Sequence, residues 1–311
     1  MREDTGVVVS YLEQQKIDAG LISDVKEFRE RYEVEEEVQD RIAVPELLFY
    51  GKDILEMSIA ALLQGENLLL SGAKATGKNV LCETLSWIFG RPSYDISFHV
   101  NTDSASLIGT DTFINNEVQL RKGPIYQCAQ FGGFGILDEI NMAKNDAVSV
   151  LHATLDHRRR IDIPGYTKVT LHPAARFIGT MNYGYAGTKE LNEALVSRFL
   201  VVDMPQLSEE TIRFLLKKHF NDVTEQALEQ FTGLFLDLQA KVYNGEVSAR
   251  SLDLRGMIAA MKAIRSNLTP IHAIRMGIVN KSFDTFEKEI IEDVIATRIP
   301  SSWTRAQIFE G

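Results

Sequence analysis

The sequence predicts an α/β protein in which a parallel sheet is followed by a smaller all-helical region. Two stretches predict the sheet. At residues 67–88 an apolar run enters a glycine-rich loop and leaves it as a helix, and at residues 134–139 an apolar run ends in two acids. From Ser208 onward, apolar residues recur at helical spacing alone. We therefore expect a helical N-terminal arm over residues 1–44, an α/β core over 45–205 and an all-helical domain over 206–311.

Length and composition limit the class of protein. The 311 residues, 45% of them apolar, suffice for two ordinary globular cores. The net charge of −10 argues against a surface that binds nucleic acid by bulk electrostatics, although it does not exclude a local basic stripe. Only Cys82 and Cys128 are cysteines, no leader pattern is visible and no apolar run approaches the roughly 20 residues that span a bilayer. We expect a cytoplasmic protein without disulfides or membrane contact.

The glycine-rich loop covers residues 72–79 and reads GAKATGKN. Glycines let backbone N–H groups turn inward around an anion, the next helix adds the positive end of its dipole, and Lys78 adds a full charge. The loop matches the phosphate-binding pattern G-x-x-x-x-G-K, but Asn79 stands where a serine or threonine is usual. A chance glycine-rich turn is the alternative. The candidate phosphate-binding residues are Gly72, Ala73, Lys74, Ala75, Thr76, Gly77, Lys78, Asn79 and Val80.

Before this loop the chain reads as helical. Residues 26–42, KEFRERYEVEEEVQDRI, alternate in charge as an exposed helix does, and a second helical pattern runs from Pro45 to Gly65. The acidic run within the first stretch is either a solvated helix face or a surface for a partner.

The second core strand ends in two acids. Before it, residues 110–120 read as a small hairpin around a polar turn that includes Asn115. The strand over 134–139 ends in Asp138 and Glu139, which parallel packing would bring beside the glycine-rich loop. There Asp138 would supply an oxygen to Mg²⁺ and Glu139 would orient an attacking water. A strand that simply ends in solvated acids is the alternative.

Three further features follow. The arginines at 158–160 come after a helix, where they either grip a phosphate backbone or neutralise the helix C-terminus. A second hairpin around Pro164 precedes an apolar strand that ends at Asn182, a candidate to contact the γ-phosphate or the water, with a plain turn residue as the alternative. An amphipathic helix over 191–199 carries Arg198, which has no obvious acidic partner in the sequence.

Several motifs occur in a fixed order along residues 45–300, namely GAKATGKN, LIGTDTF with LRKGPIYQ, GILDEINMA, FIGTMNYG, LNEALVSRF and VSAR. Together they resemble the MoxR branch of the AAA+ ATPases, in the helix-2-insert group that also holds CbbQ/NorQ, McrB and midasin-like proteins. The resemblance implies an AAA+ P-loop core with a helix-2 insert and a helical lid. It also implies a homo-oligomeric ring, usually a hexamer, which hydrolyses ATP with Mg²⁺ between protomers. Such relatives remodel a client protein or insert a cofactor into it, with partners that carry a von Willebrand factor A domain.

The same resemblance implies roles for individual residues. Gly72, Gly77, Lys78 and Asn79 correspond to Walker A, Asp138 and Glu139 to Walker B, and Asn182 to sensor 1. Arg198 is similar to the arginine finger that reaches the neighbour's ATP, and Arg250 to the sensor 2 arginine of the lid.

Asn79 departs from the family pattern. Its neutral amide oxygen lies one atom further out than a hydroxyl, and Mg²⁺ demands near-ideal octahedral geometry, so we expect a weaker metal site at Asn79 and Asp138. Two rival functions stay open: an ATP-binding assembly module with little turnover, and a motor stimulated by nucleic acid.

Overall fold

The computed structural model describes residues 2–42, 44–114, 116–163, 165–183 and 191–310. Three residues of the predicted turns and motifs, Asn115, Pro164 and Gly184, lie outside the described residues. The chain divides into two compact units, Met1–Pro205 and Gln206–Gly311. The predicted fold class is confirmed, because the first unit contains a parallel sheet covered by helices and the second is built from helices.

The strands of the first unit are β1 (Leu68–Gly72), β2 (Ser93–Ser97), β3 (Gly109–Ile114), β4 (Glu117–Lys122), β5 (Phe134–Asp138), β6 (Arg160–Ile161), β7 (Val169–Thr170), β8 (Arg176–Asn182) and β9 (Leu200–Asp203). Five of them form one sheet in the order β2-β5-β8-β1-β9, with parallel pairing throughout. The carboxyl ends of β1, β5 and β8 therefore lie at one edge of the sheet. The two predicted hairpins are confirmed as the antiparallel pairs β3-β4 and β6-β7.

The helices of the first unit are α1 (Arg2–Gln14), α2 (Ala19–Arg31), α3 (Lys52–Leu63), α4 (Lys78–Phe89), α5 (Ser104–Ile108), α6 (Pro124–Phe131), α7 (Asn145–Thr154) and α8 (Glu193–Val196), with 3-10 helices at Glu36–Arg41 and Ile140–Met142. Two apolar clusters cover the two faces of the sheet. Leu68 and Leu70 belong to the cluster with α1 to α4, whereas Leu69 belongs to the one with α5 to α7. This alternation is what a strand buried on both faces requires.

The prediction of one exposed helix over residues 26–42 is wrong. Helix α2 ends at Arg31, and a 3-10 helix follows at Glu36–Arg41. Val25 and Phe28 of α2 are buried, and the Phe28 ring contacts Phe89 of α4 with 5.0 Å between centroids. The apolar residues between the charged ones form a narrow stripe that packs on the core.

The second unit contains α9 (Glu209–His219), α10 (Glu225–Tyr243), α11 (Leu254–Arg265), α12 (Pro270–Gly277), α13 (Thr285–Arg298) and α14 (Arg305–Ile308), with a 3-10 helix at Val279–Lys281. Ser208 caps α9, since its side chain accepts a hydrogen bond from Thr211 N. Helices α11 and α12 touch at Gly256, where a Cβ atom would lie 2.2 Å from the carbonyl oxygen of Gly277. Among the described residues, no helix combines the length and apolar character needed to cross a membrane.

Candidate functional site

The loop after β1, residues 72–79, folds around its own lysine. The side chain of Lys78 is almost fully buried, and Nζ donates hydrogen bonds to the carbonyl oxygens of Gly72 at 2.9 Å and Ala73 at 2.6 Å. Ala75 and Gly77 have positive φ angles of 61° and 86°, which close the turn before α4 begins. The loop therefore already surrounds the cation that the sequence assigns to phosphate binding.

Backbone donors of the same loop are available to an anion. The N–H groups of Ala75, Thr76 and Gly77 donate to no other group in the described part of the chain. They stand at the N-terminus of the twelve-residue helix α4, where the helix dipole favours negative charge. Loop amides and a helix N-terminus together are a recurrent anion-binding arrangement, so the residues present fit a phosphate group.

The buried position of Lys78 changes its ionisation. Burial lowers the pKa of the Lys78 ammonium from 10.5 to about 8, because desolvation disfavours the charged form. The carboxylates of Asp138 and Glu139 act in the opposite direction and raise the pKa. A bound phosphate would add to the effect of the carboxylates.

Asp138 and Glu139 stand where β5 ends, and Thr180 of β8 joins them. Thr180 Oγ1 donates to Asp138 Oδ1 at 2.5 Å and accepts from the backbone N–H of Glu139 at 3.2 Å. Asn182 Nδ2 lies 3.5 Å from Glu139 Oε1, so the predicted catalytic acid and the predicted sensor are neighbours. Sequence reasoning missed Thr180. Its position two residues before Asn182 on one strand, and hence on the same face, was the available signal.

The two predicted metal ligands also lie side by side. Asn79 Nδ2 donates to Asp138 Oδ2 at 3.4 Å across the mouth of the loop. Magnesium is usually held by one or two protein carboxylates together with waters and substrate phosphates, and one carboxylate beside a phosphate loop fits that pattern. The described residues contain no group of three or more His, Cys, Asp and Glu that would form an all-protein metal cage.

Arg198 lies at the opposite edge of the sheet from the glycine-rich loop at residues 72–79, the candidate phosphate loop. It precedes β9, whose first residue pairs with Leu68 at the start of β1, whereas the loop follows the end of β1. The Arg198 guanidinium donates to the carbonyl oxygen of Ala194, and its Nη2 lies 3.8 Å from Asp156 Oδ2. The sequence pointed to no acidic partner, and the structure supplies Asp156. Arg198 also lines a cavity of about 610 Å³ together with Asp156 and His157.

The other predicted cations have their own surroundings. In the run 158–160, Arg158 Nε donates to Asp156 Oδ1 at 2.7 Å, and Arg159 Nη2 donates to the carbonyl oxygens of His172 and Ala175, both at 3.0 Å. Two of these three arginines are thus engaged within the chain, which favours the structural interpretation of the run. In the second unit Arg250 is exposed, and its Cζ atom lies 6.0 Å from the centroid of the Phe283 ring.

Comparison with known proteins gives one family match and several relatives. The model of the family "AAA domain (dynein-related subfamily)" matches residues 67–199. The protein YojN of Bacillus subtilis is 33% identical over 250 residues, which cover 78% of this chain and 82% of YojN. The protein SERP0979 of Staphylococcus epidermidis is 29% identical over 250 residues, 78% of this chain and 94% of that protein. Both relatives are described as uncharacterized.

Among solved structures, a point mutant of RuvB from Thermotoga maritima aligns with a TM-score of 0.47 at 16% identity, over 80% of this chain and 71% of that one. The matched family region contains the phosphate loop, Asp138, Glu139, Thr180 and Asn182, which the fold brings to one edge of the sheet. The chain therefore belongs to the AAA+ ATPases, with an AAA domain of the dynein-related subfamily, and shares its family with YojN.

Proposed function

We propose that this protein is a MoxR-like AAA+ ATPase that hydrolyses ATP between the protomers of a homo-oligomeric ring and uses the turnover to act on a client protein. The observation that carries hydrolysis is the pair Glu139 and Asn182, 3.5 Å apart, beside the loop that holds Lys78. A chain that only bound nucleotide would have no chemical need for a water-orienting carboxylate at this position.

Each residue of the site has a distinct task in the proposed reaction. Lys78 and the loop amides would hold the β- and γ-phosphates, and Asp138 with Asn79 would hold Mg²⁺, whose charge would offset that of the phosphates. Glu139 orients the attacking water and accepts its proton, while Asn182 fixes the position of the Glu139 carboxylate.

The proposed ring explains the position of Arg198. Because Arg198 stands at the edge of the sheet opposite to its own phosphate loop, a nucleotide that it reaches would belong to a neighbouring protomer. To reach that nucleotide, the guanidinium would leave Asp156 and the carbonyl oxygen of Ala194. A trans arginine would neutralise charge on the transferring phosphoryl group. Arg250 of the helical unit is the proposed sensor 2 residue, and a hexamer is the ring size that the resemblance suggests.

The proposed client is a protein substrate, reached through a partner with a von Willebrand factor A domain. The six motifs in family order support this part of the proposal. The engagement of Arg158 and Arg159 within the chain and the net charge of −10 weigh against a motor that acts on nucleic acid. A cytoplasmic location stays a prediction from the sequence.

A second candidate function is an ATP-binding assembly module with little turnover. One observation favours it: Asn79 replaces the usual hydroxyl ligand, and its amide nitrogen faces Asp138. The two functions are distinguished by measuring phosphate release and oligomer size on the same sample with Mg²⁺ and ATP. The ATPase predicts a ring that releases phosphate in many turnovers per protomer. The assembly module predicts a ring that forms with ATP and releases none.

The proposed partner with a von Willebrand factor A domain is tested by a capture experiment. A Glu139→Gln variant, expected to hold ATP and keep the ring assembled, is mixed with the proposed von Willebrand factor A domain partner, and the parent with ADP serves as control. Retention of the partner by the ATP-bound variant and not by the ADP-bound parent supports the proposal. Equal retention, or none, contradicts the proposed role of this partner.

A further inference from the structure

Thr180 occupies a position that the proposed mechanism has not used. Its side chain is buried in β8, with 1% of the residue exposed, between the ends of β5 and β1. One hydroxyl group makes two different contacts there, donating to Asp138 Oδ1 at 2.5 Å and accepting from Glu139 N at 3.2 Å. The metal-binding acid and the catalytic acid are thereby linked through a single oxygen atom.

The first contact fixes the Asp138 carboxylate. A hydroxyl that donates to a carboxylate over 2.5 Å forms a charge-assisted hydrogen bond, which is among the stronger hydrogen bonds in proteins. With Oδ1 occupied by Thr180, Oδ2 is the oxygen that faces Asn79 and the mouth of the phosphate loop. Threonine suits this task because its β-branched side chain has restricted χ1 freedom.

The second contact supports an unusual backbone. Glu139 has a φ angle of 54°, in the left-handed region that non-glycine residues seldom adopt. This conformation turns the chain from β5 into the 3-10 helix at Ile140–Met142 and brings the Glu139 side chain next to Asn182. Thr180 Oγ1 is the partner of the Glu139 N–H at this turn, so it helps to hold the residue where its carboxylate is needed.

We propose that Thr180 is a positioning residue that acts on both acids at once: it turns Asp138 Oδ2 toward Asn79, where the two residues would hold Mg²⁺, and it holds Glu139 in the conformation that directs its carboxylate to Asn182. The proposal rests on the ATPase function proposed above. Serine would supply the same hydroxyl group, whereas valine has nearly the same shape and supplies none.

The experiment compares Thr180→Val, Thr180→Ser and a matched control, Thr154→Val. Thr154 is also buried, with 1% exposed, but its Oγ1 donates at 2.8 Å to the carbonyl oxygen of Val150 within α7. Three quantities are measured on the full chain: the Mg²⁺ concentration for half-maximal phosphate release, the rate of phosphate release, and the affinity for ADP without Mg²⁺. The last quantity reports on the phosphate loop, with which the Thr180 hydroxyl forms no hydrogen bond among the described residues.

We expect Thr180→Val to raise the Mg²⁺ requirement and lower the rate by about 10- to 100-fold each, the usual cost of losing a group that orients a metal ligand. Its metal-free ADP affinity should stay within about twofold of the parent, and Thr180→Ser should recover most of the rate, since the hydroxyl is what carries the role. Thr154→Val should leave the Mg²⁺ requirement unchanged.

Two results would overturn the inference. The first is a Thr180→Val protein with the parental Mg²⁺ requirement. The second is a loss that Thr154→Val shares or that extends to metal-free ADP binding, either of which would mean that Thr180 only supports the fold. If the parent itself releases no phosphate, the proposed ATPase function fails. The Mg²⁺ dependence of ATP affinity then still decides the role of Thr180.

Discussion

Raising the pH should weaken nucleotide binding, because Lys78 loses its charge in the empty phosphate loop. Burial lowers the pKa of Lys78 to about 8, far below its ordinary value of 10.5. If only the charged ammonium binds phosphate, roughly 90% of the protein is competent at pH 7 and roughly 10% at pH 9, so the apparent affinity should fall about tenfold. A lysine with a pKa of 10.5 would give a change of only about 3% over the same range.

The assay is an equilibrium titration with ADP at constant Mg²⁺ and ionic strength, at several values between pH 7 and pH 9. ADP avoids turnover, and its terminal phosphate, with a second pKa near 6, is almost fully ionised throughout this range. A Lys78→Arg variant is the control, because a guanidinium stays charged at pH 9. The reasoning is refuted if the affinity of the parent is the same at both ends of the range, or if the control falls as steeply as the parent.

Folding stability should rise with pH, whereas nucleotide affinity falls, because both depend on the ionisation of Lys78. The pKa of Lys78 is lower in the folded protein than in the unfolded chain, so the unfolded chain binds more protons between about pH 8 and pH 10.5. The contribution of Lys78 to the free energy of unfolding is therefore lowest below pH 8 and rises between about pH 8 and pH 10.5. The rise should be absent from Lys78→Arg in parallel urea titrations.

Two other predictions concern the metal and the ring. Asn79→Thr should raise the rate of phosphate release or lower the Mg²⁺ requirement, because it restores a short hydroxyl ligand. A slower enzyme with unchanged Mg²⁺ dependence would show that the loop is shaped around the amide. Arg198→Ala should bind ATP normally and lose roughly 10³- to 10⁵-fold in turnover, the range for arginine fingers. Mixing Arg198→Ala with Glu139→Gln protomers should restore part of the activity, since some interfaces then pair an intact Arg198 with an intact Glu139. Mixed rings of confirmed assembly that remain inactive would argue that Arg198 acts within its own chain.

The adjacency of the phosphate loop, the two acids and Asn182 could be predicted because parallel strands bring their carboxyl ends to one edge. Strand order is not needed to place them at the same edge, although it decides which of them are direct neighbours. Thr180 is different: its contact with Asp138 depends on β8 lying between β5 and β1, an order that no local pattern in the sequence reveals. In sequence the hydroxyl is marked only by its spacing of two residues from Asn182, which places both side chains on one face of the strand.

Partners that come from distant segments escaped prediction for the same reason. Arg198 meets Asp156, which lies just after α7, only because the two segments meet at the amino edge of the sheet. In the N-terminal segment the charges predicted an exposed helix, while the burial of Val25 and Phe28 depends on the neighbouring α4. Charge patterns describe the solvent face of a helix and reveal little about a narrow apolar stripe on its other face.

The central claim, that Glu139 makes this chain an ATPase, is tested most directly by measuring ATP binding and phosphate release on the parent and on Glu139→Gln side by side. An amide cannot accept the proton of the attacking water, so the variant should bind ATP within about threefold of the parent and release phosphate at least ~10²-fold more slowly. Phosphate release by Glu139→Gln at the parental rate, or none from the parent itself, would contradict the account.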